Sequence, residues 1–214
     1  MQKITIRPYS STDRDAIRFI CCETGFSGKP VDPLFCDRNT FADFFTKYYT
    51  DWEPESSFVG EVDGQVVGYL NGCLRYHYHG FAEKCIIASL VPKVSWKIIS
   101  GSYNQQSRAF LWWCIFQGSK QTPPVPKESA HFHFNILPEY HNTGIGLRLY
   151  RIFVEHLNKH KAKRVYAQLQ TSENKRTLRL FNRFGFVVTE RRHITKFKDF
   201  HDKKIYVSTI VREL

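Results

Sequence analysis

Two glycines, Gly144 and Gly146, follow a short polar turn and precede an amphipathic segment. N–H groups at a helix start have no intrahelical acceptor, and the helix dipole places positive charge there. Glycines leave such donors uncovered, so we predict that this turn binds a pyrophosphate. The alternative is an ordinary tight turn that begins a helix. The predicted anion-binding turn comprises His141, Asn142, Thr143, Gly144, Ile145 and Gly146.

The glycine spacing excludes two common nucleotide-binding motifs. A dinucleotide-binding fingerprint needs a third glycine near Tyr150 and an acidic residue at the tip of the next strand. A P-loop needs Gly-Lys followed by Ser or Thr. Neither pattern is present in the chain.

Polar side chains alternate along two segments that otherwise have the composition of buried strands. Alternate residues of a strand share one face, and strands covered on both faces are nearly all apolar. We therefore predict a water-lined cleft between the two segments; the alternative is that each polar group is buried and hydrogen-bonded. The two polar sets are His131, His133 and Asn135, and Tyr166, Gln168 and Gln170.

Histidines on the first of these strands suit proton transfer. Histidine has a pKa near 6.5, so His133, or failing that His131, is predicted to act as a base, directly or through water. Glu139 is a weaker candidate for the base. His-x-His pairs occur at 77/79 and 131/133, but further ligands at zinc-site spacing are missing, so no metal site is predicted.

Strand and helix patterns alternate along the chain, as in an α/β domain. The order begins with a strand, two helices and a hairpin that turns at Asp63-Gly64, and it continues after residue 129 with strand, helix, strand, helix and a closing hairpin. The predicted elements are strand 4–8, helices 13–24 and 39–49, hairpin 56–74, a strand from residue 131 that stops at Pro138, helix 144–160, strand 164–171, helix 174–184, and an antiparallel hairpin of 186–197 and 204–212.

Residues 75–129 are predicted to form an insertion with short helices around 85–100 and 107–117. Its second helix is too apolar to remain in water, so we expect it to pack on the core or cover the acceptor cleft; contact with a second subunit is the alternative. The residues concerned are Phe110, Leu111, Trp112, Trp113, Ile115 and Phe116.

The composition indicates one domain over residues 1–214, because 42% hydrophobic content can form a single core. Six cysteines without metal-ligand spacing, and the lack of a signal-like apolar start, predict a reduced, cytoplasmic protein. The longest apolar run, 109–116, is shorter than the roughly 18 residues of a membrane span, so no membrane partner is expected. The net charge of +11 favours polyanions, which include nucleic acid, anionic membranes and phosphate-bearing ligands. Charge alone does not choose among them, and nucleic acid is not the expected partner.

Two motifs resemble the GNAT superfamily of acyl-CoA-dependent N-acyltransferases. The family pattern Arg/Gln-x-x-Gly-x-Gly/Ala corresponds to residues 141–146, and Asn-x-x-Ala-x-x-Leu-Tyr-x-x-x-Gly-Phe corresponds to 174–186. The resemblance covers nearly the whole chain. Within the superfamily, the segment 130–138 is similar to the acetyltransferase-like domains associated with bacterial O-GlcNAc hydrolases.

The resemblance implies a mixed, mostly antiparallel central sheet with flanking helices, interrupted by the helical insertion between strands three and four. It also implies acetyl-CoA as cosubstrate and an amine acceptor that attacks directly. In the family, the pantetheine arm lies between strands four and five, which here places it near the backbone of Ile136 and Leu137. The match to the second motif also assigns Asn174 and Phe181 to the cofactor site.

Two of the chain's departures from the family pattern affect the expected chemistry. His141 replaces the usual Arg or Gln, and Phe181 occupies the place of a tyrosine that protonates the departing thiolate. Tyr166 or a water molecule is the expected replacement for that acid. The second departure keeps an alternative function open, in which the fold is a catalytically silent binding module for an acidic protein or nucleic acid.

Overall fold

The computed structural model describes residues 3–171, 179, 181–200 and 203–214. Seven strands form one sheet in the order β1-β2-β3-β4-β5-β7-β6. All neighbours are antiparallel except β4 and β5, which confirms the predicted mixed, mostly antiparallel sheet. The strands are β1 Ile4–Pro8, β2 Ser57–Val62, β3 Gln65–Cys73, β4 Ala130–Ile136, β5 Arg164–Thr171, β6 Val187–Ile194 and β7 Ile205–Glu213.

Helices cover both faces of the sheet. They are α1 Arg14–Thr24, α2 Arg38–Lys47, α3 Tyr76–Ile99, α4 Gln105–Phe116, α5 Gly118–Gln121 and α6 Ile145–Lys159. A π-helical turn, Tyr48–Trp52, continues α2. The predictions for α1, α2 and α6 are confirmed, whereas most of the helix predicted at 174–184 lies outside the described residues.

The layer on one face is α6, whose apolar residues recur every four positions. Ile145, Leu149, Phe153 and Leu157 are fully buried. Phe153 packs on Phe132 of β4, with ring centroids 5.6 Å apart. Because side chains alternate along a strand, the neighbouring His131 points to the opposite face, where α1 and the π-helical turn lie.

The β2–β3 hairpin turns at Asp63-Gly64, as the sequence predicts. Both residues are left-handed, with φ of 50° and 84°. Two consecutive left-handed residues are typical of the tight hairpin turn whose twist matches that of the strands.

Residues 76–84 are helical, so the prediction that the insertion's first helix begins around residue 85 was wrong. Ala82, Ile86 and Leu90 form a buried stripe that packs with Cys73 and the π-helical turn. The buried carboxylate of Glu53 accepts the N–H of Leu74 at 2.6 Å and anchors the start of the helix. This tertiary packing overrides the weak helix propensity of the Tyr, His and Gly residues there.

The insertion is tied to α2 through Asp37. Its buried carboxylate accepts from Lys97 Nζ at 2.7 Å and from Tyr103 Oη at 2.9 Å, and it also caps α2 through Thr40. Burial alone would raise the pKa of Asp37, but the Lys97 ammonium and the hydroxyl donors lower it to about 2. The insertion is therefore fixed to the domain by a buried charge-assisted contact.

The expectation that α4 packs on the core holds for one side of the helix. Phe110 is buried, and Leu111 and Trp113 are half-buried. Trp112 and Phe116 remain more than half exposed. No helix in the described part of the chain is both long and apolar enough to span a membrane.

Candidate active site

A row of free N–H groups lies at the start of α6. After β4, the chain makes one 3-10 turn at Pro138–Tyr140, and Asn142 and Gly144 then adopt left-handed conformations with φ of 66° and 85°. The main-chain N–H groups of residues 142–147 have no hydrogen-bond acceptor among the residues that the structure describes. Such a concave row of donors at a helix N-terminus is suited to an anion.

Gly144 and Gly146 serve different purposes. A Cβ on Gly144 would meet no atom within 4 Å, so its requirement is conformational. A Cβ on Gly146 would lie 2.7 Å from Phe134 Cζ, so this glycine permits close packing of α6 on β4. Gly146 therefore has a packing role in addition to the predicted one of leaving donors uncovered.

Side chains within the turn maintain its shape. Thr143 Oγ1 donates to the carbonyl of Tyr140 at 2.7 Å. His141 Nε2 lies 3.1 Å from the carbonyl oxygen of Ile136 and donates to it in the matching tautomer. These two side chains are occupied within the protein, and the main chain is the part of the turn that remains available to a ligand.

The two central strands diverge beside this turn. β4 and β5 pair only at Ala130↔Val165 and His131↔Tyr166, although both strands continue for several residues. Leu137 N–H donates to the Val67 carbonyl of β3 at 2.9 Å. In an antiparallel pair, successive residues direct their main-chain groups alternately toward and away from the partner strand. The main-chain groups of Ile136 therefore point away from β3, toward the edge of β4 that β5 has left. Ile136 N–H therefore lies where a ligand could add to the sheet.

Leu137 does not have this freedom. Its N–H is bound to the Val67 carbonyl, and its own carbonyl accepts the N–H of Tyr140 at 3.0 Å. Both main-chain groups are thus used within the protein. The sequence-based assignment of Leu137 to cofactor binding through its backbone is corrected to Ile136 alone.

His131 is buried, and its Nε2 lies 2.9 Å from the Tyr49 hydroxyl. Burial, together with the nearby rings of His133 and His79, lowers its pKa well below the ordinary histidine value. Its ring nitrogen is occupied and its protonated form is disfavoured. The structure therefore favours His133 as the first candidate, and the role of His131 as the fallback base stays a prediction.

His133 and Tyr166 are the predicted catalytic side chains that remain accessible. His133 is exposed, and the surrounding protein and His79 lower its pKa. Tyr166 is half-buried with its ring 5.1 Å from that of His131, and burial raises its pKa, as do Cys73 and Glu83. Neither side chain has a hydrogen-bond partner within the described ranges, so both can reach a ligand.

The remaining polar residues of the two strands are mostly satisfied within the protein. Asn135 Nδ2 donates to the Tyr69 hydroxyl at 2.8 Å, and Gln168 Nε2 donates to the Pro123 carbonyl at 2.8 Å. For these two residues the alternative interpretation, hydrogen-bonded polar groups, is correct. Fewer polar side chains are therefore free to line the cleft than the alternation predicts.

Helix α3 supplies a wall of the site that the sequence did not predict. The ring of His79 lies 4.7 Å from that of His131 and 4.4 Å from that of Tyr48. Glu83 follows His79 by one helical turn, and its charge affects the pKa of His79 and of Tyr166. The i, i+4 spacing of His79 and Glu83 is the only sequence signal that pointed to this wall.

The second predicted motif is only partly described. Phe181 is half-buried, and its ring meets that of Phe186 edge-on with centroids 5.6 Å apart. Asn174, the other residue assigned from this motif, lies outside the described residues. Among described side chains, no group of three or more His, Cys, Asp or Glu is arranged to hold a metal ion.

The clustered histidines predict an acid-sensitive fold. The pKa values of His131, His133 and His79 are all lowered in the folded state, while the unfolded chain binds protons near pH 6.5. Stability is therefore fully present above pH 6.5 and is lost as the pH falls below it. Urea unfolding should show that the free energy of unfolding of the wild type falls between pH 7 and pH 5. In His131→Gln this fall should be smaller by about 2 kcal/mol.

The matched control for this measurement is His193→Gln, because His193 is exposed on β6. Glutamine at position 131 can still bond to the Tyr49 hydroxyl but does not titrate. An identical pH dependence in both variants would show that His131 is not protected from protonation.

Comparison with known proteins shows that this chain is similar to acetyltransferases. The model of the acetyltransferase (GNAT) family matches residues 104–186, which include the turn and both diverging strands. An N-alpha-acetyltransferase of Sulfurisphaera tokodaii is 24% identical over 144 residues, which are 67% of this chain. The chain spans 62% of the length of that relative.

Solved structures share the fold along its length. The crystal structure of SsHAT superposes with a TM-score of 0.61 and 22% identity, covering 99% of this chain and 98% of the other. The Salmonella typhimurium protein yncA, whose structure includes its cofactor acetyl-CoA, has a TM-score of 0.56 and 15% identity, with coverage of 99% and 94%.

These comparisons do not address the finer similarity to domains associated with O-GlcNAc hydrolases, which stays a prediction. The family match and the shared fold agree with the free donor row and the split between β4 and β5. Residues 104–186 are thus similar to the acetyltransferase (GNAT) family, and the whole chain shares its fold with the solved structures.

Proposed function

We propose that this protein transfers an acetyl group from acetyl-CoA to an amine acceptor by direct attack. The observation that carries the proposal is the free donor row at 142–147, located immediately beyond the point where β4 and β5 separate. A pyrophosphate can bind at the row while the attached arm lies in the gap. Residues 1–214 then act as one domain, with 75–129 as an insertion that forms one wall of the acceptor cleft.

Both main-chain and side-chain groups contribute to the proposed reaction. Acetyl-CoA, when bound, supplies an activated thioester, and the acceptor nitrogen forms a bond to its carbonyl carbon as the carbon–sulfur bond breaks. Ile136 N–H on the free edge of β4 polarises the carbonyl, a contact worth roughly 3 kcal/mol in acyl transfer. His133 receives the proton that the amine releases, and Tyr166 donates one to the departing sulfur.

His133→Ala should lower kcat/KM by about 10²-fold, because the cleft loses its accessible base. The structure also changes the expected pH dependence. Since the pKa of His133 is lowered, the ascending limb of the wild-type pH profile of kcat/KM should lie below pH 6.5 rather than near neutrality. The His133→Ala variant should lack this limb. The measurement is the rate of thiol release from acetyl-CoA as a function of pH.

His193→Ala is the control for that series, since it removes an exposed histidine from β6 without touching the cleft. If His133→Ala retains the rate and the pH profile of this control, proton transfer proceeds through water without His133, and the assigned role is incorrect.

A panel of amine acceptors with acetyl-CoA, read out by free thiol, tests the proposed function itself. The expected result is acceptor-dependent thiol release with a matching acetylated product. The GNAT relatives favour this enzyme over a silent binding module. Tight binding of acetyl-CoA without turnover across the whole panel would instead support the module.

A further inference from the structure

The outward side of α3 is apolar, which is unusual for a helix at a protein surface. Ala82, Ile86 and Leu90 face the core, whereas helices of this kind carry charged residues on the opposite side. In α3 that side exposes Phe81 by 57% and Val91 by 53%. The helix therefore presents one apolar face to the protein and another to its surroundings.

Helix α4 extends this exposed surface. Arg108 Nη2 donates to the carbonyl of Ile98 at 3.4 Å, which brings the first turn of α4 to the last turn of α3. Trp112 follows Arg108 by one turn, and its ring stacks with Phe116 at 5.3 Å. We call the combined area the α3–α4 surface; its large exposed side chains are Phe81, Val91, Trp96, Ile99, Trp112, Ile115 and Phe116.

The insertion that carries this surface is rich in basic residues. Residues 75–129 contain seven Lys or Arg and only two acidic residues, Glu83 and Glu128. Glu83 follows His79 on the cleft side of α3 and so is directed away from the apolar side. Arg75 and Lys97 are paired with Glu55 and Asp37, whereas Lys84 and Lys93 are exposed on α3 and form no ion pair with the described residues.

We propose that the α3–α4 surface docks on an anionic lipid membrane as a peripheral contact. Exposed Trp, Phe and Ile side chains insert at the boundary between headgroups and acyl chains, and neighbouring Lys and Arg bind the phosphates. The same helix carries His79 beside the cleft, so docking brings the acceptor cleft close to the lipid headgroups.

Charge favours lipid over a second copy of the chain. A two-fold contact through this surface would bring the same basic residues together, with little acidic charge to compensate them. An anionic membrane neutralises this charge and buries the aromatic side chains in the same step. The chain's net charge of +11 acts in the same direction.

Sedimentation with lipid vesicles tests the proposal on the whole chain. Vesicles of equal phosphatidylcholine and phosphatidylglycerol should bind the protein, with a blue shift in tryptophan fluorescence, and pure phosphatidylcholine should bind it far more weakly. Trp112→Glu should reduce the partition coefficient about tenfold through loss of the inserted ring. Lys84→Gln should reduce it about fivefold, and this effect should shrink at high salt.

Val187→Glu is the matched control, because Val187 is 64% exposed on β6 and the substitution introduces the same charge away from the α3–α4 surface. Circular dichroism verifies that all variants are folded. The proposal is overturned if anionic vesicles fail to bind the wild type, or if Trp112→Glu and Val187→Glu bind equally well. It is also overturned if sedimentation velocity shows a dimer that Trp112→Glu dissociates while vesicles remain unbound, since the surface then pairs with a second copy.

Discussion

Gly144→Glu should bind acetyl-CoA at least about 100-fold more weakly than the wild type, because a carboxylate would compete with the pyrophosphate for the donor row and repel it. A Cβ at position 144 would meet no atom within 4 Å, so the new side chain fits sterically and its charge causes the loss of affinity. Isothermal calorimetry with acetyl-CoA measures the affinity directly.

The control for this variant is Gly64→Glu in the β2–β3 turn. Gly64 has φ of 84°, against 85° for Gly144, and a Cβ there also meets nothing within 4 Å. Both substitutions strain the backbone by about 1 kcal/mol and add the same charge. Only Gly144→Glu should lose binding; equal affinities in the two variants would remove the turn from the proposed cofactor site.

The second large effect is expected for Tyr166→Phe, which should lower kcat about 10²-fold while the affinity for acetyl-CoA stays unchanged. The hydroxyl has no hydrogen-bond partner among the described residues, and Tyr166 lies on β5 at the point where β4 and β5 separate. Burial raises its pKa, so it remains protonated at neutral pH and can donate to the departing sulfur. Steady-state kinetics with a saturating acceptor provides the test.

Tyr9→Phe is a suitable control, because Tyr9 is also half-buried with a raised pKa but follows β1 at the far edge of the sheet. Phe181→Tyr gives further information. In the wild type it should change kcat little, because Tyr166 already donates the proton; in Tyr166→Phe it should restore part of the rate if position 181 reaches the sulfur. A Tyr166→Phe enzyme with the full rate would exclude Tyr166 as the acid.

Much of the fold follows from local patterns in the sequence. The alternation in β5 and the four-residue repeat of Leu149, Phe153 and Leu157 fix those elements, because each has one face against the core. The left-handed Asp63-Gly64 pair similarly fixes the β2–β3 turn. Within the donor row, the sequence indicates the glycine turn but not the contact of Gly146 with Phe134, because that contact arises only from packing.

The two candidate histidines of β4 were harder to tell apart from the sequence. His131 and His133 are the same residue type on the same face of β4, so their sequence context is nearly identical. Their difference comes from Tyr49, which lies 82 positions before His131 in the chain and occupies its ring nitrogen. His79 was likewise missed because its helix is stabilised by packing with Cys73 and by Glu53 rather than by local propensity.

A crystal structure of the protein with CoA tests the central claim most directly. We expect the pyrophosphate oxygens within hydrogen-bonding distance of several N–H groups of residues 142–147, with the pantetheine arm between β4 and β5 and bonded to Ile136 N–H. CoA bound away from this row, for instance with its phosphates on the basic β6 strand, would contradict the account.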